Sequence, residues 1–376
     1  MALGTTLSAL VEWILPSSTR CLEDVHGDEQ PTKSPRLDAY LTAWCHPVLA
    51  VDKPVKSGCG CPRRNLEGGL MPRSDIAAMG LRRAGSVGRN SPRSLRVVTY
   101  NLQRGIHYSL LRKHFAQLES LRLADVVAVQ EALVPAGGVN TLARLARDLA
   151  GDYRWAYRTV MAYPSKEYGN GFLFRSSVTP VAAQIVSLPQ VDRLGWVARL
   201  KTEGGKPDSK SAFCQVFRVA GRLVRIVNIH LDFSGGVDHR IRQLSHLLRV
   251  LEPVSDSSTA VVDVLCGDFN TSGYYRSKQA WHETQQVLEV AKGDGFTECS
   301  AGIPWTSDLF SSIDNADPAR RMLRLGRLFG LRYRQKLDHL LVRGAPMAAP
   351  AAAVAATGHA HLPGSDHLPV AVELIL

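Results

Sequence analysis

From residue 95 onward, short β-branched runs alternate with stretches whose apolar residues recur three and four positions apart. LRVVTYN (95–101), ADVVAVQ (124–130), LVRIVNIH (223–230), VVDVLCG (261–267), LDHLLV (337–342) and the closing PVAVELI (369–375) read as strands buried in a sheet. HYSLLRKHFAQLESLRL (107–123), VNTLARLARDLAG (139–151), DHRIRQLSHLLRVLE (238–252) and SKQAWHETQQVLEVAKG (277–293) read as amphipathic helices. The interleaving predicts one large α/β domain over residues 95–376. Residues 1–94 lack this periodicity, are punctuated by Pro, Gly and Ser, and lead into the arginine-rich stretch MPRSDIAAMGLRRAGSVGRNSPRSLR. They read as a mostly disordered basic extension, for which a solvated tail is favoured over an electrostatic tether to a polyanion.

Several of the apolar strands end abruptly in a carboxylate, amide or imidazole. Asn101 follows VVTY, Glu131 follows VVAVQ, His230 follows IVNI, and Asp268 and Asn270 follow VLCG. Polar groups at strand ends of α/β proteins meet in a crevice at one rim of the sheet, where loops are freed from packing. Any one of them alone is better explained as a helix cap or turn former. The set is what points to a site.

Composition narrows the class without naming it. A chain of 376 residues, 45% hydrophobic and 21% charged, is globular rather than wholly disordered. The formal charge of +11 and pI near 9.5 favour a polyanionic partner, nucleic acid or an anionic lipid surface. The longest weakly apolar run, 345–357, is alanine and proline, so no transmembrane segment is expected, while peripheral membrane contact stays open. The opening MALGTTLSALVEWILP is interrupted by Glu12 and has no basic residue before Arg20, which suits neither a secretory signal nor a transit peptide. Seven scattered cysteines do not form a secreted disulfide framework, and an intracellular, cytoplasmic setting is expected. Cys45, His46, Cys59 and Cys61 lack the usual spacing of a zinc cluster and read as incidental thiols.

The ordered segments TYNLQRG (99–105), VVAVQEA (126–132), YGNGFLFR (168–175), NIHLDFSGG (228–236), CGDFN (266–270), KLDHLLV (336–342) and GSDHLPV (364–370) resemble the endonuclease/exonuclease/phosphatase superfamily of DNase I-like phosphoesterases. Singly, QE or GDFN is weak; GDFN followed by LDHLLV and SDHLPV is specific. The resemblance implies a four-layer α/β sandwich, two packed mixed β-sheets flanked by helices. It implies Mg2+, or Mn2+, at Glu131 with Asn101 beside it and Asp366 as a second metal-proximal acid, a donor set that suits hard cations. By the same resemblance His230 contacts the scissile phosphate, while Asp268 and Asn270 orient the attacking water and steady the transition state. His367 is the general base or a phosphate contact, oriented by Asp338. Tyr168 and Asn170 line the substrate cleft, and Arg240 with Gln243 buttresses His230 or reaches phosphate. Gly267 is expected in a tight turn, and His339 is expected to be structural.

Two departures limit the subfamily. Gln103 stands where abasic-site endonucleases carry an acid, and KLDHLLV lacks the arginine of inositol polyphosphate phosphatases. The expected activity is Mg-dependent hydrolysis of a phosphodiester by in-line attack of water, with an endo- or exonuclease first. A phosphodiesterase or phosphatase acting on lipid headgroups or small molecules comes second, and an inactive binding module third.

Overall fold

Two mixed β-sheets lie face to face in the computed structural model, which describes residues 94–149, 152–194, 199, 207–251, 261–271, 273–313, 320–344 and 364–376. The first sheet contains β1 (Ser94–Asn101), β2 (Val126–Pro135), β3 (Tyr153–Tyr163), β4 (Lys166–Arg175) and β13 (Val370–Ile375), in the order β13-β1-β2-β4-β3. The second contains β5 (Thr179–Ser187), β6 (Ser211–Val219), β7 (Arg222–His230), β8 (Val261–Asp268), β9 (Thr297–Glu298) and β12 (Asp338–Arg343), in the order β5-β6-β7-β8-β12-β9. Each sheet has one parallel pair, β1 with β2 and β7 with β8, and the remaining pairs are antiparallel. Cys45, His46, Cys59 and Cys61, read as incidental thiols, and the reading of residues 1–93 lie outside the described residues.

Alternation along the strands builds the layers. Leu95, Val97, Val126, Ala128 and Phe172 of the first sheet share one apolar cluster with Val224, Ile226, Val262, Val264 and Leu340 of the second. The opposite face of the first sheet, through Val98, Tyr100, Val127 and Val129, packs on α1 (Tyr108–Gln117), α2 (Glu119–Arg122) and α3 (Thr141–Asp148). On the far side of the second sheet, Val227, Ile229 and Leu265 pack on α4 (Gly236–Val250) and α5 (Lys278–Gly293) through Leu244, Leu247, Val287 and Leu288. Helices, sheet, sheet and helices make the four-layer sandwich. Full burial of such side chains contributes about 1.5–3 kcal/mol each, which is why the continuous strands cannot slip.

The single helix expected over 107–123 is two. Leu118 sits between them in extended conformation, φ −74° and ψ 121°. Two of the others start on a side-chain cap: Asn140 accepts from the Leu142 amide at 2.7 Å, and Ser277 from the Ala280 amide at 3.3 Å. Between β10 (Ser307–Asp308) and β11 (Arg334–Gln335), a paired ribbon, lies α6 (Arg320–Leu328), for which the sequence reading had no counterpart.

Candidate active site

On the inner face of each central strand, apolar residues give way to a neutral polar group and then to a chemically active one. β1 reads Leu95, Val97, Thr99, Asn101; β7 reads Val224, Ile226, Asn228, His230; β8 reads Val262, Val264, Cys266, Asp268. β12 runs the opposite way and delivers Asp338 first, ahead of Leu340 and Val342. All these strand ends fall on one rim.

The neutral layer locks the sheets together. Gln130 donates through Nε2 to Asn228 Oδ1 at 2.7 Å and to Thr99 Oγ1 at 3.0 Å. Asn228 Nδ2 donates to the carbonyls of Val129 and Gly171, both at 2.9 Å. All three side chains have no exposure, so every one of these bonds is made away from water, where an unmet polar group is costly. One residue further along the strand, β2 bulges against β4 between Val129 and Ala132, and Glu131 takes φ +54°. A non-glycine residue in that region is strained, and here the kink turns the Glu131 carboxylate toward the rim.

In the second sheet the register does the placing. His230 is paired with Asp268, and Asp268 with Asp338, so three strands present three side chains in one row. Gly267 lies within β8 at φ +144°, not in the expected tight turn. A Cβ there would overlap the Ile229 carbonyl oxygen, so glycine is required by close approach of β7. The last two site residues come from the loop before β13. Ser365 Oγ donates to Asn101 O at 2.8 Å and accepts from the His367 amide at 3.1 Å, and Leu368 N donates to Thr306 O at 2.7 Å. Thr306 Oγ1 also accepts from the Asp338 amide at 2.9 Å, holding both members of the next pair.

That pair is His367 Nδ1 and Asp338 Oδ2, 2.8 Å apart. Asp268 Oδ2 lies 3.8 Å from His367 Nε2, 3.6 Å from His230 Nε2, and 3.0 Å from Asn101 Nδ2, which donates to it. Asn101 Nδ2 also reaches Glu131 Oε1 at 3.4 Å. Asn270, at φ +49°, donates its amide to Asp268 Oδ1 at 2.8 Å and its Nδ2 to Leu231 O at 2.8 Å. The Asx turn therefore holds Asp268 on the rim beside His367 and His230.

Burial shapes the protonation states. Burial, opposed by His367 and reinforced by Asp338, pushes the Asp268 carboxyl up to about 7. Burial works against charge on His367, yet Asp338 and Asp268 together hold it well above the usual histidine range. For His230, burial and then the positive charge of Lys210 and His367 push the other way, well below that range. Burial, with His367 opposing and Glu131 reinforcing, raises Asp366 to about 6.

A buried acid raised further by a neighbouring carboxylate calls for a cation. Asp366 Oδ1 is buried without a hydrogen-bond partner among the described residues, and Glu131 supplies further hard oxygens, so the two acids fit a divalent ion; the expected metal contact of Asn101 is not made by its oxygen, which accepts from the Gln103 amide at 2.9 Å while its Nδ2 faces Glu131. Asp268, Asp338 and His367 also bring ligand atoms within 4.8 Å of one another. There the His367 nitrogen is already committed to Asp338, which makes that trio the weaker metal site and the better proton-handling one.

The other expected residues divide. Tyr168 and Asn170 line a cleft with Glu131, His230, Met161 and Lys210. Arg240 does not reach it. It is 1% exposed, its Nη1 approaches Asp232 O at 3.5 Å, and burial lowers it to about 10 against the attraction of Glu283, Asp232 and Asp268. It buttresses the loop after β7, as does Gln243, whose Oε1 accepts from Asp232 N at 2.9 Å. His339 points away from Asp338 into a buried contact with Thr271, Glu298 and the edge of Phe269. Sequence reasoning missed Gln130, Asn228, Thr306 and Lys210. The first two were visible as amides inside apolar runs, whereas nothing in the sequence marked Thr306 or Lys210. Lys210 is 5% exposed, its carbonyl accepts from Leu188 N, and its side chain, attracted by Asp208 but making no side-chain hydrogen bond among the described residues, faces the cleft.

Comparison with known proteins bears on the fold and the family. D. rerio TDP2 complexed with single strand DNA product superposes with a TM-score of 0.50 at 15% identity, covering 75% of this chain and 98% of that one. A family protein from Leptotrichia buccalis gives 0.49 at 14% identity, covering 75% and 100%, and the human Nocturnin catalytic domain with bound sulfate gives 0.46 at 15%, covering 76% and 95%. No curated protein matches the sequence. At such identities a structural likeness speaks to fold alone. The family model is different in kind: it matches residues 98–367, well over half of the 376, from the strand that carries Asn101 to His367 itself, and the chain belongs to the Endonuclease/Exonuclease/phosphatase family.

Proposed function

We propose that the protein hydrolyses a phosphodiester by in-line attack of water with the help of a divalent cation. The observation that carries this reading is the convergence of two acids, Glu131 with Asn101 Nδ2 beside it and Asp366, with a His367–Asp338 pair bonded at 2.8 Å on the same rim. Mg2+ or Mn2+ held by those acids supplies charge neutralisation on the phosphate. Sequence assigned the base role to His367. A histidine with Asp338 on Nδ1 and Asp268 facing Nε2 holds a proton, and a protonated imidazole donates to a phosphate oxygen rather than taking a proton from water. We therefore assign water activation to Asp268, oriented by Asn101 and Asn270, and stabilisation of the developing negative charge to His367, with neutral His230 and Lys210 as further donors.

Nucleic acid is the substrate class favoured by the +11 charge. The exposed apolar and basic face of α6 favours a lipid phosphoester as the second reading. The test is a chelator titration followed by metal add-back on a chromogenic phosphodiester. Activity is expected to vanish with chelator and return with Mg2+, and Glu131→Gln should raise the metal concentration needed by about tenfold or more. Full turnover in excess chelator would overturn the cation-dependent reading.

A further inference from the structure

The insertion between β10 and β11 ends in a face that the described fold leaves uncovered. α6 is anchored by Leu323 and Gly326, which pack on Phe310, Ile313 and Tyr333; with no Cβ at Gly326 the Phe310 ring comes close to the helix. At about 100° per residue, Met322, Leu325 and the adjoining Phe329 fall on one flank of that anchor, and Leu328, next to Arg321, lies directly opposite it. Their exposures are 36%, 55%, 73% and 80%, and they make up four of the nine exposed large apolar side chains among the described residues. Arg320, Arg321, Arg324 and Arg327 border the strip, and the helix contains no acid.

An occupant must satisfy both halves of this surface. Nucleic acid supplies phosphates to the arginines and leaves the leucines and phenylalanine in water. A second copy would set arginine rows against each other in a chain of +11. Residues 1–93 carry twelve Lys/Arg against nine Asp/Glu and offer no complement of charge. An anionic lipid surface offers phosphates at the level of the arginines and acyl chains beneath for the apolar strip. We propose that α6 with Phe329 docks the protein on an anionic membrane surface.

The geometry gives the docking a consequence. Ser307, at the base of the insertion, bridges to His367; Asp308 N donates to Asp366 O at 2.9 Å; and Gln103 Nε2 donates to Ser312 O at 3.4 Å. The insertion is thus rooted in the rim that carries the active site, and a docked α6 holds that rim close to the bilayer. The proposal is independent of which ester the site cleaves.

The test uses the full chain and vesicle co-sedimentation, comparing an equal mixture of phosphatidylcholine and phosphatidylglycerol with phosphatidylcholine alone. The protein is expected to sediment with the anionic vesicles, less so as salt is added, and to stay in solution with the neutral ones. Leu325→Ser, Leu328→Ser and Phe329→Ser together should weaken vesicle binding by about tenfold or more, with turnover of a water-soluble chromogenic phosphodiester unchanged. Arg321→Gln with Arg327→Gln, which leaves the apolar strip intact, should weaken it by about fivefold or more. Wild-type vesicle affinity in the triple serine variant would overturn the proposal, assigning any membrane binding to another basic region. It would equally fall if the serine variant bound vesicles normally but lost affinity for a DNA or RNA oligonucleotide, or turned a dimer into a monomer.

Discussion

In the proposed mechanism His367 is the side chain on which the chemistry turns, with Asp338 fixing one ring nitrogen at 2.8 Å and Asp268 facing the other at 3.8 Å. His367→Ala is expected to cost about a hundredfold or more in turnover, and Asp338→Asn should be damaging too. The two act as one unit, so the double variant should be little worse than His367→Ala alone, which a double-mutant cycle on kcat measures directly. Strict multiplicativity would show that Asp338 has a separate task. Lys210 gives a second expectation at this scale. A buried lysine that faces the cleft and is held by no side-chain hydrogen bond among the described residues is placed to meet a phosphate, so Lys210→Met should lower kcat/KM by about tenfold or more while leaving metal affinity unimpaired and thermal stability little changed. Lys210→Arg should recover part of the loss. If Lys210→Met lowered the melting temperature and left kinetics alone, the lysine would be structural.

Among the elements, β9 and β12 show how a buried charge cluster supports the site from outside it. Glu298 at the end of β9 pairs with Lys336 at 2.9 Å and lies 3.3 Å from the ring of His339. Burial would raise its carboxyl, but the bond from His339 and the charge of Lys336 overcome this and hold it down at about 2. A folded pKa below the ordinary value of 4.5 means stability present above about pH 4.5 and lost as pH falls toward about 2. Thermal melts over that window should show an acid limb that Glu298→Gln removes, at the cost of lower stability near neutrality. An unchanged limb would assign acid sensitivity to other carboxylates.

The same elements show what the sequence made legible. Strands β1, β2, β7, β8 and β12 lie inside their sheets and β13, at the edge of the first, is buried through Val370–Val372, so their apolar runs stood out, and their polar ends named Asn101, Glu131, His230 and Asp268. Edge strands β3 and β5 are half-buried throughout and lack such runs, and in β6 the run is interrupted by Gln215. The break at Leu118 and the close approach at Gly267 depend on tertiary neighbours that no local pattern encodes. Arg240 was assigned to substrate because helical spacing gives a face without saying which way it points.

For the whole molecule, the question is whether the charge belongs to the catalytic body or to the chain before it. From Ser94 onward there are thirty-three Lys/Arg against twenty-five Asp/Glu, so about eight of the eleven net charges lie with the family domain. The family match begins at residue 98, β1 at Ser94, and the first site residue is Asn101. A chain starting at Ser91 keeps every side chain of the site and most of the positive field. Its turnover on a chromogenic phosphodiester is therefore expected to stay within about twofold of the full chain, since a small substrate senses the site and little of the distant charge. Affinity for an anionic polymer is a different measurement, because it falls with salt according to the number of phosphates neutralised. The shortened chain should keep most of that salt dependence, and the intercept should drop modestly. Circular dichroism and a melting curve come first, to establish that the shortened chain folds. A folded protein that loses turnover on the small substrate would show that residues before Ser91 contribute to the active site, and the domain boundary would then have to move toward the start of the chain.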